Sequence, residues 1–356
     1  VDDLALVERT VAGVRPADPA ALAAATQEMH HKVKPPGSLG RLEDLAVRLA
    51  GIRGQPGPGP VGDPAVVVCA ADHGVAAEGV SAYPQEVTGL MLRAFASGGA
   101  AVGVLARQAG ARLVVADLGV LAPPVPEPGA APVLDLRVRA GTGNSAVEPA
   151  MSAAEAARAV RRGIDLATGL VADGVDLVAL GEMGIGNTTT ASAVTARLLG
   201  VPAGSVVGRG TGLDDAGVAR KTHVVERVLA RHPDAREPLE VLAAMGGLEV
   251  AALTGVLLGC AARRVPVVLD GFITTAAALV AARLAPATTD AMVAGHRSRE
   301  PGHAVQLEAL GLEPVLDLDL RLGEGSGAVL AVGVARAAAA VLDEMATFAD
   351  LGLGGG

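Results

Sequence analysis

The sequence predicts an α/β fold, a buried parallel sheet covered by helices, and three observations lead there. Short apolar runs recur, each ending in Gly or a polar residue: 65–70, 112–116, 175–180, 265–269 and, more weakly, 291–294. Alanine-rich stretches of helical length lie between them, over 87–109, 153–170 and 189–199. The hydrophobic residues, 51% of 356, are almost all aliphatic, with one Tyr, three Phe and no Trp. Strands alternating with helices of this length form right-handed βαβ units. A core of Ala, Val and Leu suits helices stacked on a sheet buried on both faces.

Residues 1–50 read as helical, with a break at Lys34-Pro35-Pro36-Gly37. Ser38 is placed to cap a helix over 39–49, where Leu39, Leu42, Leu45, Ala46 and Leu49 make one apolar stripe. The run from Gly54 to Pro60, GQPGPGP, suits neither helix nor strand and marks a domain boundary. A last strong helix is predicted over 327–346, and Gly354-Gly355-Gly356 reads as a frayed end. There is no internal repeat.

Composition excludes several classes. A formal charge of −9 without a basic run argues against nucleic-acid binding, which needs clustered Lys and Arg. Cys69 and Cys260 lie in apolar segments and read as reduced core residues. The first twenty residues are too acidic and polar for a signal peptide. Apolar stretches such as 251–262 are too short and interrupted for a bilayer span of ~20 residues. The expectation is a soluble, cytoplasmic protein without membrane or nucleic-acid partners.

In such folds ligands bind where strands end and helices begin. Asp72-His73-Gly74 follows the first strand; it sits either at the mouth of a site or in a polar turn whose Asp caps the next helix. After the 175–180 run comes GEMGIGNTTT, Gly181 to Thr190, opening directly into a helix. Gly184 and Gly186 let the backbone approach a ligand, and helix amides beside Asn187 and Thr188 form an anion site. The loop has neither the Lys of a Walker A loop nor dinucleotide spacing, so a mononucleotide phosphate fits best. A second glycine loop, Gly208 to Asp215 and including Thr211, precedes a helix with Arg220 and Lys221, either of which could neutralise that phosphate. Arg220 reads better as a solvated helix charge. Asp270-Gly271-Phe272 ends another strand; Asp270 is either catalytic or orients neighbours and caps Thr274-Thr275. The polar stretch 295–303 holds His296, Ser298 and His303, whose spacing matches no common metal motif.

The most telling loop is Arg321-Leu322-Gly323-Glu324-Gly325-Ser326-Gly327. Small neighbours allow a planar ligand to reach Glu324, and an apolar wall including Leu322 would raise its pKa and make it a stronger base. A helix-start Glu facing the macrodipole would explain the acid but not the glycines on either side.

These motifs together carry a resemblance. Lys34-Pro35-Pro36-Gly37-Ser38-Leu39-Gly40, Asp72-His73-Gly74, the 181–189 loop, Leu269-Asp270-Gly271-Phe272 and the 321–327 loop occur in the order and spacing of the nicotinate-nucleotide:dimethylbenzimidazole phosphoribosyltransferase (CobT) family. The resemblance runs from about residue 30 to the C-terminal helix. It implies a Rossmann-like parallel-sheet domain over 61–330 and a small helical domain from both termini, 1–60 with 331–356. It also implies a homodimer, and transfer of a phosphoribosyl group from nicotinate mononucleotide to 5,6-dimethylbenzimidazole or a related base, with no cofactor or metal. By resemblance Glu324 is the base and Glu182 the second important carboxylate. Gly184 to Thr188, Lys221 and Ser298 match the phosphate-holding positions. Tyr83, ahead of Pro84, and Met91 match the acceptor pocket, where family members carry a smaller polar residue at the Tyr83 position. Two rival readings are a metal-dependent phosphohydrolase on Asp72, His73, His296 and His303, and a non-catalytic mononucleotide sensor. Chelation would stop the first, and the second would release no nicotinate.

Overall fold

The computed structural model describes residues 2–123, 128–210 and 212–353; Thr211 and the Gly354–Gly356 tail lie outside the described residues. In chain order the elements are α1 (Asp3–Gly13), α2 (Pro19–His31), α3 (Arg41–Arg53), β1 (Pro64–Ala71), α4 (Val87–Ala96), α5 (Ala101–Ala109), β2 (Arg112–Gly119), β3 (Val133–Asp135) and α6 (Ala153–Ala172). There follow β4 (Leu177–Met183), α7 (Asn187–Leu199), α8 (Asp215–Arg231), α9 (Pro238–Met245), α10 (Leu248–Ala261), β5 (Val267–Leu269), α11 (Phe272–Leu284), β6 (Met292–Ala294), α12 (Pro301–Leu310) and α13 (Ser326–Glu344).

Among the described residues six strands form one sheet in the order β3-β2-β1-β4-β5-β6, with parallel pairing throughout. This is the doubly wound arrangement in which connections leave β1 and β4 in opposite directions, opening a crevice at their carboxyl ends. Strand side chains alternate between two cores. Ala65, Val67, Cys69 and Ala71 face the layer of α6, α7, α10 and α11. Val66, Val68 and Ala70 face α2, α3, α4, α5 and α13. Both cysteines are free and buried.

The terminal helices α2, α3 and α13 pack on one another, and α13 also lies on β4 and β5, so this layer shares a core with the sheet. The exception within the first sixty residues is α1, which packs on α6 and α10 across the sheet.

Local chemistry accounts for three departures from expectation. Helix α3 starts at Arg41 behind Gly40, at φ 55°, with no side-chain cap, so Ser38 is not its cap. Glu43 does that work instead, accepting from the Leu39 amide at 2.9 Å while paired with buried Lys34 at 2.8 Å. The 87–109 stretch is two helices, broken by 97–100 with Gly98 at φ 70°. Strand β3 has no counterpart among the expected strands, because three residues carry no measurable alternation.

Residues 87–109 and 326–344 pass for bilayer spans by length and composition alone. The first is interrupted, and α13 is a core helix against the sheet.

Helices α6 and α10 touch backbone to backbone. A Cβ at Gly163 would collide with the Ala252 carbonyl, and one at Gly255 with the Val160 carbonyl. Gly255→Val should therefore lower stability by at least ~2 kcal/mol, read from the urea midpoint. Gly333, on α13 with nothing within 4 Å of a built Cβ, should behave oppositely: Gly333→Ala should raise stability by about 0.5–1 kcal/mol.

Candidate active site

A cavity of ≈ 490 Å³ opens at the carboxyl ends of β1, β4 and β5, within the size range of small-molecule sites. One wall is Tyr83, Val87 and Met91, leading into and along α4; the opposite wall comes from Gly271, Phe272 and Ile273 at the start of α11. Glu182 to Ile185, with Asn187 and Thr188, line it from the β4–α7 turn, and 321–324 from the turn before α13. His296, Ser298 and Glu300 complete it with Gly210.

Glu324 stands in the left-handed region at φ 64°, between Gly323 at 84° and Gly325 at 92°. For a non-glycine residue this conformation costs roughly 1–2 kcal/mol, so something must hold it. That is Asp270, which accepts from the amides of Gly325 at 3.3 Å, Gly327 at 2.7 Å and Ala328 at 3.0 Å. One buried carboxylate thus caps α13 and fixes the loop before it. Gly181 completes the support, because a Cβ there would run into the Glu324 carbonyl. The Glu324 carboxylate is buried with Oε2 unpartnered. Burial and then the charge of Asp270 raise its pKa.

Glu182 ends β4 and accepts a hydrogen bond from Asn187 Nδ2. Burial first, then the charges of Asp270, Glu249 and Glu324, push its pKa up to about 8, against the bond from Asn187. At neutral pH this carboxyl is held mostly in its protonated form.

Behind Thr188 lies a buried cation. Lys221 is fully buried on α8, its Nζ donating to Thr188 Oγ1 at 2.8 Å and the Gly208 carbonyl at 3.3 Å. Burial brings its pKa down to about 8 while the charge of Glu300 resists that shift. Glu300 Oε1 accepts from the Gly210 amide at 2.9 Å, bracing the second glycine loop. Ser298 is held by its neighbour His303, whose Nδ1 accepts from the Ser298 amide at 3.0 Å. Burial lowers the pKa of His303 to about 3, so that ring is neutral.

Of the expected site residues, Glu324, Glu182, Gly184, Asn187, Thr188, Ser298, Tyr83, Met91 and Leu322 line the cavity. Gly186 caps α7 at φ 95° just outside it. Lys221 lies one layer back, behind Thr188. Asp270 supports rather than lines. Asp72 does not reach the mouth: it is buried and accepts from the Leu121 amide at 2.8 Å. Arg220 is on the surface and donates to the Gly79 carbonyl at 2.9 Å. The four residues weighed for a metal do not converge, since His73 pairs with Glu249 at 2.8 Å and His303 with Thr275 at 3.1 Å. Among the described residues no group of three or more His, Cys, Asp or Glu could hold a metal ion. Sequence reading missed Glu300 and Arg321 as wall residues, although both lie in loops it had singled out.

A nucleotide-sized cavity at the switch point of a doubly wound sheet, walled by Glu182, Glu300, Glu324 and Arg321 with Lys221 one layer behind Thr188, has the form of an α/β enzyme site for a small molecule. A family model described as phosphoribosyltransferase matches residues 14–353. The nicotinate-nucleotide–dimethylbenzimidazole phosphoribosyltransferase of Chloroflexus aggregans is 53% identical over 98% of both chains. Its counterpart from a Roseiflexus species is 51% identical over 99% of each. A crystal structure of the Thermus thermophilus CobT superposes with a TM-score of 0.90 at 51% identity, covering 95% of this chain and all of that one. The chain belongs to this phosphoribosyltransferase family.

Glu182 makes stability depend on pH. The unfolded chain loses this proton near the ordinary value of 4.5 and the native protein near 8. Between those values the native state holds the extra proton, so its contribution to stability falls as pH rises through the window. Glu182→Gln, which cannot ionise, should gain stability relative to the parent between pH ~5 and ~8, measured by urea unfolding.

Proposed function

We propose that the protein transfers the 5-phosphoribosyl group of nicotinate mononucleotide to 5,6-dimethylbenzimidazole or a related base. The products are α-ribazole 5′-phosphate and nicotinate, in the assembly of the cobalamin lower ligand. The observation that carries this reading is Glu324, a buried carboxylate held at positive φ in a glycine-flanked loop and opening on a cavity walled by apolar side chains.

The chemistry needs one base. Nicotinate departs from a pyridinium, and the electrons of the breaking C1′–N bond neutralise the ring, so no general acid is required. The acceptor forms a new C1′–N bond and releases its N–H proton, which passes to Glu324. A raised pKa suits that role, because it brings the base nearer working pH. Glu182 faces the ribosyl centre in this reading. The arriving cationic pyridinium favours its ionised form, so the charge is present when C1′ becomes electron-poor. The opening of α7 at Asn187 and Thr188, with Lys221 behind and Ser298 opposite, suits the phosphate. Tyr83, Val87 and Met91 make the acceptor wall. The bulk of Tyr83 at the rim favours a small flat base and makes acceptor choice sensitive to that position.

The active form in this reading is a homodimer in the cytoplasm. Light scattering at micromolar concentration would test the dimer, and a monomeric mass would remove it.

The direct test is nicotinate release by purified protein given nicotinate mononucleotide and a panel of benzimidazoles. Glu324→Gln should cut turnover by at least ~10²-fold, with nucleotide affinity by calorimetry nearly unchanged; near-parental turnover would remove Glu324 as the base. Lys221→Ala should weaken nucleotide binding by ~10-fold or more, the cost of one charged hydrogen-bonding partner.

A further inference from the structure

The Asp72-His73-Gly74 motif is not used by the reaction as described, yet its histidine is fully buried and hydrogen-bonded at both ring nitrogens. His73 Nε2 lies 2.8 Å from Glu249 Oε1, and Nδ1 lies 3.0 Å from Thr190 Oγ1. His73 and Glu249 have no exposure and Thr190 has 3%. A buried carboxylate requires a donor, and the imidazole N–H at Nε2 supplies it. In the neutral ring Nδ1 is then an acceptor, and the Thr190 hydroxyl donates to it. The two partners therefore fix both the tautomer and the ring plane.

The ring is wedged under the loop that opens into α7. A Cβ at Gly184 would stand 2.9 Å from His73 Nε2 and 3.1 Å from Cδ2. On the other side a Cβ at Gly247 would stand 2.5 Å from Cε1. The backbone of His73 reaches two further segments, its carbonyl accepting from Gln85 Nε2 at 3.0 Å and the Ala76 amide at 3.1 Å. Gln85 precedes α4, which carries the opposite wall of the cavity. Thr190 lies on the first turn of α7, just beyond the wall residues Asn187 and Thr188.

We propose that His73, locked between Glu249 and Thr190, is a positioning residue that sets the height and angle of the Gly184–Thr188 loop against the phosphoribosyl donor. It touches no substrate and acts through Gly184 and the first turn of α7. The inference rests on the function proposed above, because that reading places the donor at this loop. Its effect should fall more on donor binding than on the acceptor, whose wall meets this loop through the Ile185 amide, which donates to Thr88 Oγ1 at 3.2 Å.

Thr190→Val removes the hydroxyl while keeping the side-chain shape, and Thr190→Ser keeps the hydroxyl. Calorimetry with nicotinate mononucleotide should show about tenfold weaker binding for Val, the loss expected when one buried polar partner goes, and near-parental binding for Ser. The acceptor KM should change by less than the donor affinity. His73→Gln should weaken donor binding similarly, and combining it with Thr190→Val should add little, since residues acting as one unit are not additive. Parental donor affinity in Thr190→Val would overturn the proposal. So would additive losses, or equal losses for donor and acceptor with a lowered melting temperature, the mark of a purely structural bond. If His73→Gln does not fold, the Val and Ser pair decides alone. Absence of nicotinate release by the parent protein would instead count against the proposed reaction, and the calorimetric comparison would still decide the role of His73.

Discussion

Asp270 lies buried at the end of β5, and its carboxylate gathers three amides from the segment that leads into α13. A charge placed there would be costly unless matched, and here the match is the unsatisfied N-terminus of a nineteen-residue helix. Glu324 can occupy its left-handed position because those bonds over-determine the turn. The same helix packs on β4, β5 and α3, so the core that stabilises the sheet also sets where the Glu324 carboxylate points. Position and stability thus share one set of contacts, and the strain at Glu324 is local.

Charge is the second organising feature. Burial and the charges of Asp270, Glu249 and Glu324 raise the proton affinity of Glu182, and burial with the charge of Asp270 raises that of Glu324. Each is answered differently: Asp270 by backbone amides, Glu249 by His73, Glu182 by Asn187 and its own proton. Glu249 and Glu324 each keep one oxygen without a partner, and that of Glu324 lies in the cavity wall. An unpaired acceptor in a cavity wall is costly in the empty protein, and it becomes favourable when a ligand N–H arrives. Lys221 is held under Thr188, one layer behind the cavity wall.

Legibility from residues alone depended on the range of the interaction. Five of the described strands were legible because each is a largely apolar run punctuated by turn residues, buried along nearly all its length except at the start of β2. β3 was not, being three residues whose role comes from pairing with β2. Ser38 looked like a cap because its type and place were right, but Glu43 and Lys34 took over the turn from further along the chain. Glycine loops were legible as sites because so many lie at strand ends. Their individual reasons were not: Gly181 makes room for Glu324, Gly184 for His73, and Gly208 for Glu300.

The sequence by itself determined the parallel α/β architecture, the loops that line the cavity and Glu324 as their most conspicuous acid. Periodicity and turn chemistry are local, and a carboxylate between two glycines is left open to a ligand by the smallness of its neighbours. The tertiary structure decided the rest: Asp270 is a brace for Glu324, Asp72 and His73 lie beneath the site, and Glu300 belongs in its wall. Those distinctions turn on which side chains are brought within about 3 Å of one another, and segments far apart in the chain meet only when the sheet has formed.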